Sequence, residues 1–120
     1  MAFTLMFMVP CVADSLPAST DREISHLFSY LENSGCRFNR NGRGYTTKEA
    51  IEHLNMKYRY LLDKELINDA ESFITRAATK SSMSGKAYLV QCQTKQPQQS
   101  GPWFNAELTR YRQGEQRPAK

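Results

Sequence analysis

Two histidines each lie within one helical turn of a glutamate, Glu23 with His26 and Glu49 with His53. Spacings of three and four put both side chains of a pair on one helical face, which is how a metal site or an acid–base pair begins. A metal needs further ligands, and a di-iron bundle needs Glu-x-x-His twice. The second pair has the wrong spacing for that, so both histidines read as surface residues beside the core, with no metal and no cofactor. Ser81, Ser82 and Ser84 fall in the polar run Ser81-Ser82-Met83-Ser84-Gly85-Lys86. Paired with His53, one of them would be an activated nucleophile. No nucleophile elbow or zinc-protease motif accompanies them, and no phosphate-loop or dinucleotide fingerprint occurs. We read these serines as partners for the carbonyls that end the preceding helix, and the chain as non-enzymatic.

Positive charge gathers at Arg37, Arg40 and Arg43. Such a cluster suits an anionic glycan, a lipid headgroup or an acidic protein loop; alternatively it is a solvated hairpin tip. Nucleic acid is not expected, because no aromatic platform interleaves with the arginines. The candidate binding residues are therefore Arg40, Asn41 and Arg43 at the hairpin, and Ser82, Ser84, Gly85, Lys86 and Tyr88 around the serine loop. Three outcomes separate the function classes. A flat basic face would mark a binding module, a protruding Ser81–Lys86 loop an inhibitor, and a deep pocket with convergent polar groups an enzyme.

The elements that must hold these residues follow from periodicity and capping. Thr20-Asp21-Arg22-Glu23 is a capping box. Ile24, Leu27, Phe28 and Leu31 follow as one stripe, and Gly35 supplies a left-handed stop, predicting a helix over 21–34. Cys36 to Arg40 alternates apolar and polar, and Asn41-Gly42 signals a tight hairpin with a short return arm to Thr46; Phe38 and Tyr45 are its expected anchors. A second box, Thr46 to Glu49, opens a helix to about Glu65 carrying Ile51, Leu54, Tyr58, Leu61 and Leu62, with Lys57, Arg59 and Lys64 mostly off that face. Asn68 caps a third helix that ends near Lys80. Ala87 to Cys92 reads as a strand, and 93–102 as a flexible connection. Pro102 suits the first position of a last helix, which carries Phe104, Leu108 and Tyr111 and stops at Gly114. The expected class is α+β and mostly helical, with four helices and a small two- to three-stranded antiparallel sheet.

The chain has 120 residues and a net charge of +4. That length holds one domain, expected over 19–113, with a disordered tail over 114–120. The charge licenses only weak attraction to anionic partners. Met1 to Ala13 is apolar, uncharged and too short to span a bilayer, so residues 1–18 read as a secretory leader cleaved after Ala13 or Ala18. Its positively charged start is missing, so either the true start lies upstream or the leader is weak. The alternative is a buried N-terminal strand or helix. Pro10 makes Cys11 a poor site for lipid attachment. Cleavage removes Cys11 and leaves Cys36 and Cys92, an even pair whose simplest state in an exported protein is a disulfide. We expect a periplasmic or secreted protein without a membrane span, whose partner is a periplasmic protein or an anionic cell-envelope component.

Four further motifs occur in order: Phe38-x-Arg40-Asn41-Gly42, Glu49-Ala50-x-x-His53-Leu54-x-x-Lys57, Ala70-Glu71-x-Phe73-Ile74, and Ser81-Ser82-x-Ser84-Gly85-Lys86-x-Tyr88-x-Val90. Together they resemble the YfeK-like domain-of-unknown-function family of small exported bacterial proteins. The resemblance implies a periplasmic, mostly helical domain without an established activity. Separately, Ser84-Gly85-Lys86-Ala87-Tyr88 is similar to the Ser-Gly-x-x-Tyr pattern on the active-site loop of some periplasmic lysozyme inhibitors. Those proteins are β-barrels, and the likeness implies an inhibitor or immunity protein acting on a cell-wall hydrolase.

Overall fold

The computed structural model describes residues 16–116 of the chain. Of the expected leader over residues 1–18, residues 1–15 with the cleavage after Ala13 lie outside the described residues, and so do the last four residues of the tail; the alternative cleavage after Ala18 falls at the first residue of the first helix. Four helices and a four-stranded antiparallel sheet follow in the order α1 (Ala18–Asn33), β1 (Arg37–Arg40), β2 (Arg43–Tyr45), α2 (Thr47–Asp63), α3 (Ala70–Ala77), β3 (Leu89–Gln91), β4 (Gln98–Gln99) and α4 (Ser100–Gln116); α2 and α4 contact the sheet, and α1 and α3 pack on the other helices. The class is the expected α+β, with one strand more than expected. Strand order is β2-β1-β3-β4.

The extra strand comes from the segment expected to be a flexible connection. Gln98 and Gln99 pair with Val90 and Leu89, and the Ser100 amide donates to the Tyr88 carbonyl. Short polar strands of this kind carry no side-chain signal; the neighbouring strand's unpaired backbone recruits them.

The register explains the cysteines. Arg37 pairs with Gln91 and Phe38 with Val90, so the next positions outward, Cys36 and Cys92, face each other, and they are joined as a disulfide with Cα atoms 4.1 Å apart. Alternation along β1 turns Cys36, Phe38 and Arg40 toward the helices. Phe38 and Val90 are buried there with Leu27, Leu31, Leu54, Phe73, Ile74 and Phe104. Burial of each such large apolar side chain contributes about 1.5–3 kcal/mol.

Capping decides most boundaries, not always as expected. The Thr46–Glu49 box opens α2. At α1 the box does not form: the helix starts at Ala18 behind Pro17. Leu16 packs on the core and turns the chain in early, Thr20 is buried inside the first turn, and Glu23 bonds Arg112 instead. The cap of α3 is Asp69 rather than Asn68, in a reciprocal arrangement with Ser72, and α3 stops at Ala77. Glu65, with φ of 58°, holds the left-handed position that ends α2, where the Leu66 amide reaches Leu61 and the Glu65 amide reaches Leu62. Asn41 and Gly42, with φ of 56° and 80°, make the two-residue hairpin turn. In α4, Pro102 is the third residue rather than the first, and Gly114 lies inside the helix. Being exposed, Gly114 weakens the helix without meeting a clash that would end it.

Candidate functional site: a cationic cluster between the sheet and the second helix

Helix α2 lies across β1 and β2, and its inward row runs Ala50, His53, Leu54 and Lys57. The same alternation that buries Phe38 aims Arg40 at this row. Arg40 Nη1 lies 2.7 Å from His53 Nδ1 and 2.8 Å from Nε2, and Arg40 Nη2 donates to the Tyr45 hydroxyl at 3.2 Å. His53 Nε2 is 3.1 Å from the Tyr88 hydroxyl. Lys57 Nζ donates to that hydroxyl and to the Lys80 carbonyl, each at 3.0 Å. Tyr88 is 1% exposed and its ring packs on Phe38, so the cluster rests on the core.

The electrostatics are one-sided. Burial, then the charges of Arg40 and Lys57, push the His53 imidazole down from 6.5 to about 4. Burial, then Arg40, pushes Lys57 down to about 8, which leaves it protonated at neutral pH. Burial pushes the Tyr88 phenol up, partly opposed by Arg40. Among the described residues, neither Arg40 nor Lys57 has a carboxylate within ion-pair distance, whereas Arg112 holds Glu23 and Glu71 and Arg110 holds Glu107.

A cleft of about 250 Å³ opens beside Arg40 and His53, lined also by Phe38, Tyr45, Glu49, Ala50, Glu52 and the exposed Met56. The carboxylate of Glu49 is committed to the Thr46 amide and hydroxyl, which holds it below the usual carboxylate range.

The two candidate surfaces expected from the sequence are one surface. The Ser84 hydroxyl donates to Asn41 Oδ1, tying the serine loop to the hairpin tip. Arg40 and Arg43 lie over the Tyr45 ring at 5.0 and 5.6 Å. The loop is braced from within: the Ser81 amide donates to the Lys86 carbonyl, the Gly85 amide to the Ser81 carbonyl, and the Met83 and Ser84 amides to the Ser81 hydroxyl. Gly85 takes a φ of 73°, as a turn requiring glycine would. Lys86 is exposed, and Met83, at the loop's apex, is 98% exposed. Ser82 points elsewhere, into a groove with Leu61 and Lys80.

Some expected roles change. The serines do not serve the carbonyls that end α3; the Thr79 hydroxyl bonds Ile74 and the Ser100 hydroxyl bonds Ala78. His53 is bonded by Arg40 and Tyr88 rather than by a serine, and its ring nitrogens face donors, which makes it a poor base. His26 is not paired with Glu23; it bonds Glu107 of α4 at 2.6 Å. Neither histidine is a simple surface residue. Lys57, expected off the packed face, is half-buried. Its spacing of four from His53 was the available signal, hidden because the apolar stripe beside it accounts for the helix without it.

No group of three potential metal ligands lies together among the described residues, and no helix there is long and apolar enough to cross a membrane. No curated protein and no solved structure matches the chain. A family model does match, over residues 18–112, which takes in all the sheet and every residue of the cluster, and the chain therefore belongs to the family of unknown function DUF5329.

Proposed function

We propose that this chain is a non-enzymatic binding module that holds an anionic component of the cell envelope against the face formed by the hairpin tip, the Ser81–Lys86 loop and α2. The observation that carries the reading is that Arg40 on His53 and Lys57 on Tyr88 gather about one point with, among the described residues, no carboxylate at ion-pair distance. Arg110 and Arg112 are paired with carboxylates; Arg40 and Lys57 have only neutral partners, and an unbalanced positive charge attracts anions. Export to the periplasm or beyond is part of the proposal. It is supported by the apolar, uncharged run over 1–13, by the Cys36–Cys92 disulfide and by the YfeK-like motifs.

The test is equilibrium binding of the full chain to a uronic-acid polysaccharide and to poly-L-glutamate, the latter standing for an acidic protein. The polysaccharide should bind, and more weakly as salt is raised. Arg40→Gln and Lys57→Gln should each weaken it by roughly tenfold, as loss of one desolvated charge contact does, while Arg112→Gln leaves it unchanged. Unchanged affinity in both cluster variants overturns the reading, and preference for poly-L-glutamate moves the partner to an acidic protein.

The braced loop with Met83 at its apex favours a second reading, inhibition of a cell-wall hydrolase, because a preorganised loop loses little entropy on docking. The chain should then slow lysozyme clearing of cell walls, and Met83→Ala or Lys86→Ala should relieve the effect. Full hydrolase activity in the presence of excess chain removes this reading.

A further inference from the structure

The cluster is short of hydrogen-bond acceptors. Arg40 and Lys57 only donate, and a neutral imidazole offers a single lone pair. Arg40 Nη1 lies against both ring nitrogens; whichever of them accepts from it carries the lone pair, and the other carries the proton. With Nδ1 as the acceptor, Nε2–H faces the Tyr88 oxygen at 3.1 Å. That oxygen then accepts from His53 and from Lys57, and its own hydrogen has no acceptor. Lys57 spends two of its three hydrogens, on Tyr88 and on Lys80. Arg40 is therefore held only by neutral acceptors, the His53 lone pair and the Tyr45 hydroxyl.

We propose that the cleft beside Arg40 and His53 takes one oxyanion group, a phosphate or a carboxylate, and that His53 gains a proton from solvent as the group binds. The inference rests on the anion-binding reading above and deepens it. An oxyanion in the cleft gives Arg40 a better acceptor than imidazole, through a charge-assisted bond. Release of Arg40 frees the ring nitrogen, which takes a proton and becomes a second donor to the anion. The negative charge also offsets the repulsion from Arg40 and Lys57 that keeps the ring neutral when the cleft holds no anion.

The polar groups of the cleft are mixed in charge: Arg40 from β1, Tyr45 from β2 with Arg43 over its ring, and His53, Glu49 and Glu52 from α2. Tyr88, ahead of β3, bonds His53, and Lys57 bonds that hydroxyl. Glu49 is occupied by its cap and Glu52 is exposed. Their carboxylates leave place beside Arg40 for one anionic group of a ligand at a time rather than several.

The test is NMR of the full chain, following the His53 ring through a pH titration with sulfate, formate or chloride at matched ionic strength. Sulfate stands for phosphate, without ionising over this pH range, and formate stands for a carboxylate. Either oxyanion should raise the His53 midpoint from about 4 toward the ordinary 6.5, and binding should be roughly twentyfold tighter at about pH 5 than at about pH 7. The stronger of the two identifies the group. Arg40→Gln should abolish both effects, and His53→Gln should bind with an affinity independent of pH. Chloride acting as well as sulfate would mean screening only and overturns the site. Oxyanion binding with an unmoved His53 midpoint overturns the proton coupling while leaving the anion-binding function standing. Polysaccharide binding with no response to either oxyanion places that function on another surface and also overturns the inference.

Discussion

Replacing His53 by Gln should change how the stability of the protein depends on pH. Glutamine keeps a donor within reach of the Tyr88 hydroxyl but does not titrate. In the wild type the native imidazole titrates near 4 and the unfolded one near 6.5. As pH falls through 6.5 the unfolded chain binds a proton that the native state refuses until about pH 4. Stability is therefore lost between about pH 6.5 and 4, and no further loss comes from this group below that. The full linkage value of a 2.5-unit difference is about 3.4 kcal/mol. The ring is part-exposed, so screening by water reduces this to about 1–2 kcal/mol. Urea unfolding followed at closely spaced pH values reads it directly: with m of about 1–3 kcal/mol/M, the midpoints of the two proteins should diverge by roughly 1 M over this range. The carboxylates of Glu49 and Glu71, held below their usual range by Thr46 and by Arg112 respectively, also lose stability in acid, but both proteins keep them and their effect cancels in the difference. Parallel profiles for wild type and His53→Gln between pH 6.5 and 4 would refute the reasoning, as would a native His53 midpoint above about 6.

Two further outcomes test the frame that holds the cluster. The Cys36→Ala, Cys92→Ala double variant should lose roughly 2–4 kcal/mol in the same unfolding assay, and the wild-type cysteines should resist alkylation until a reductant is added; free alkylation of folded, oxidised protein would show the bond absent. Gly101→Ala should lose about 1–3 kcal/mol by overpacking, because its Cβ would meet Thr79 Oγ1 at 2.9 Å and that hydroxyl bonds the Ile74 carbonyl. Most of the loss should disappear in a Thr79→Ala background, so additive effects of the two changes would sink this account of the α3–α4 approach.

Periodicity alone determined the helices, because a buried stripe such as Ile24, Leu27 and Leu31 repeats with the helical turn whatever it packs against. Asn41-Gly42 likewise determined the hairpin, since the tight turn demands two left-handed residues in succession, and the disulfide followed from counting cysteines. Tertiary structure decided the rest. Glu23 left its capping box for Arg112 of α4, a residue 89 positions away, because two charge-assisted bonds outweigh one bond to a backbone amide. Gln98 and Gln99 became a strand because β3 offered an unpaired edge. Arg40, His53, Lys57 and Tyr88 became one hydrogen-bonded cluster because β1's alternation, α2's fourfold spacing and the chain's return through Tyr88 converge on one point. Each residue alone satisfied a local pattern, as hairpin charge, helix surface or strand aromatic. Only their convergence leaves two cations with neutral acceptors alone, a relation between elements that no local stretch encodes.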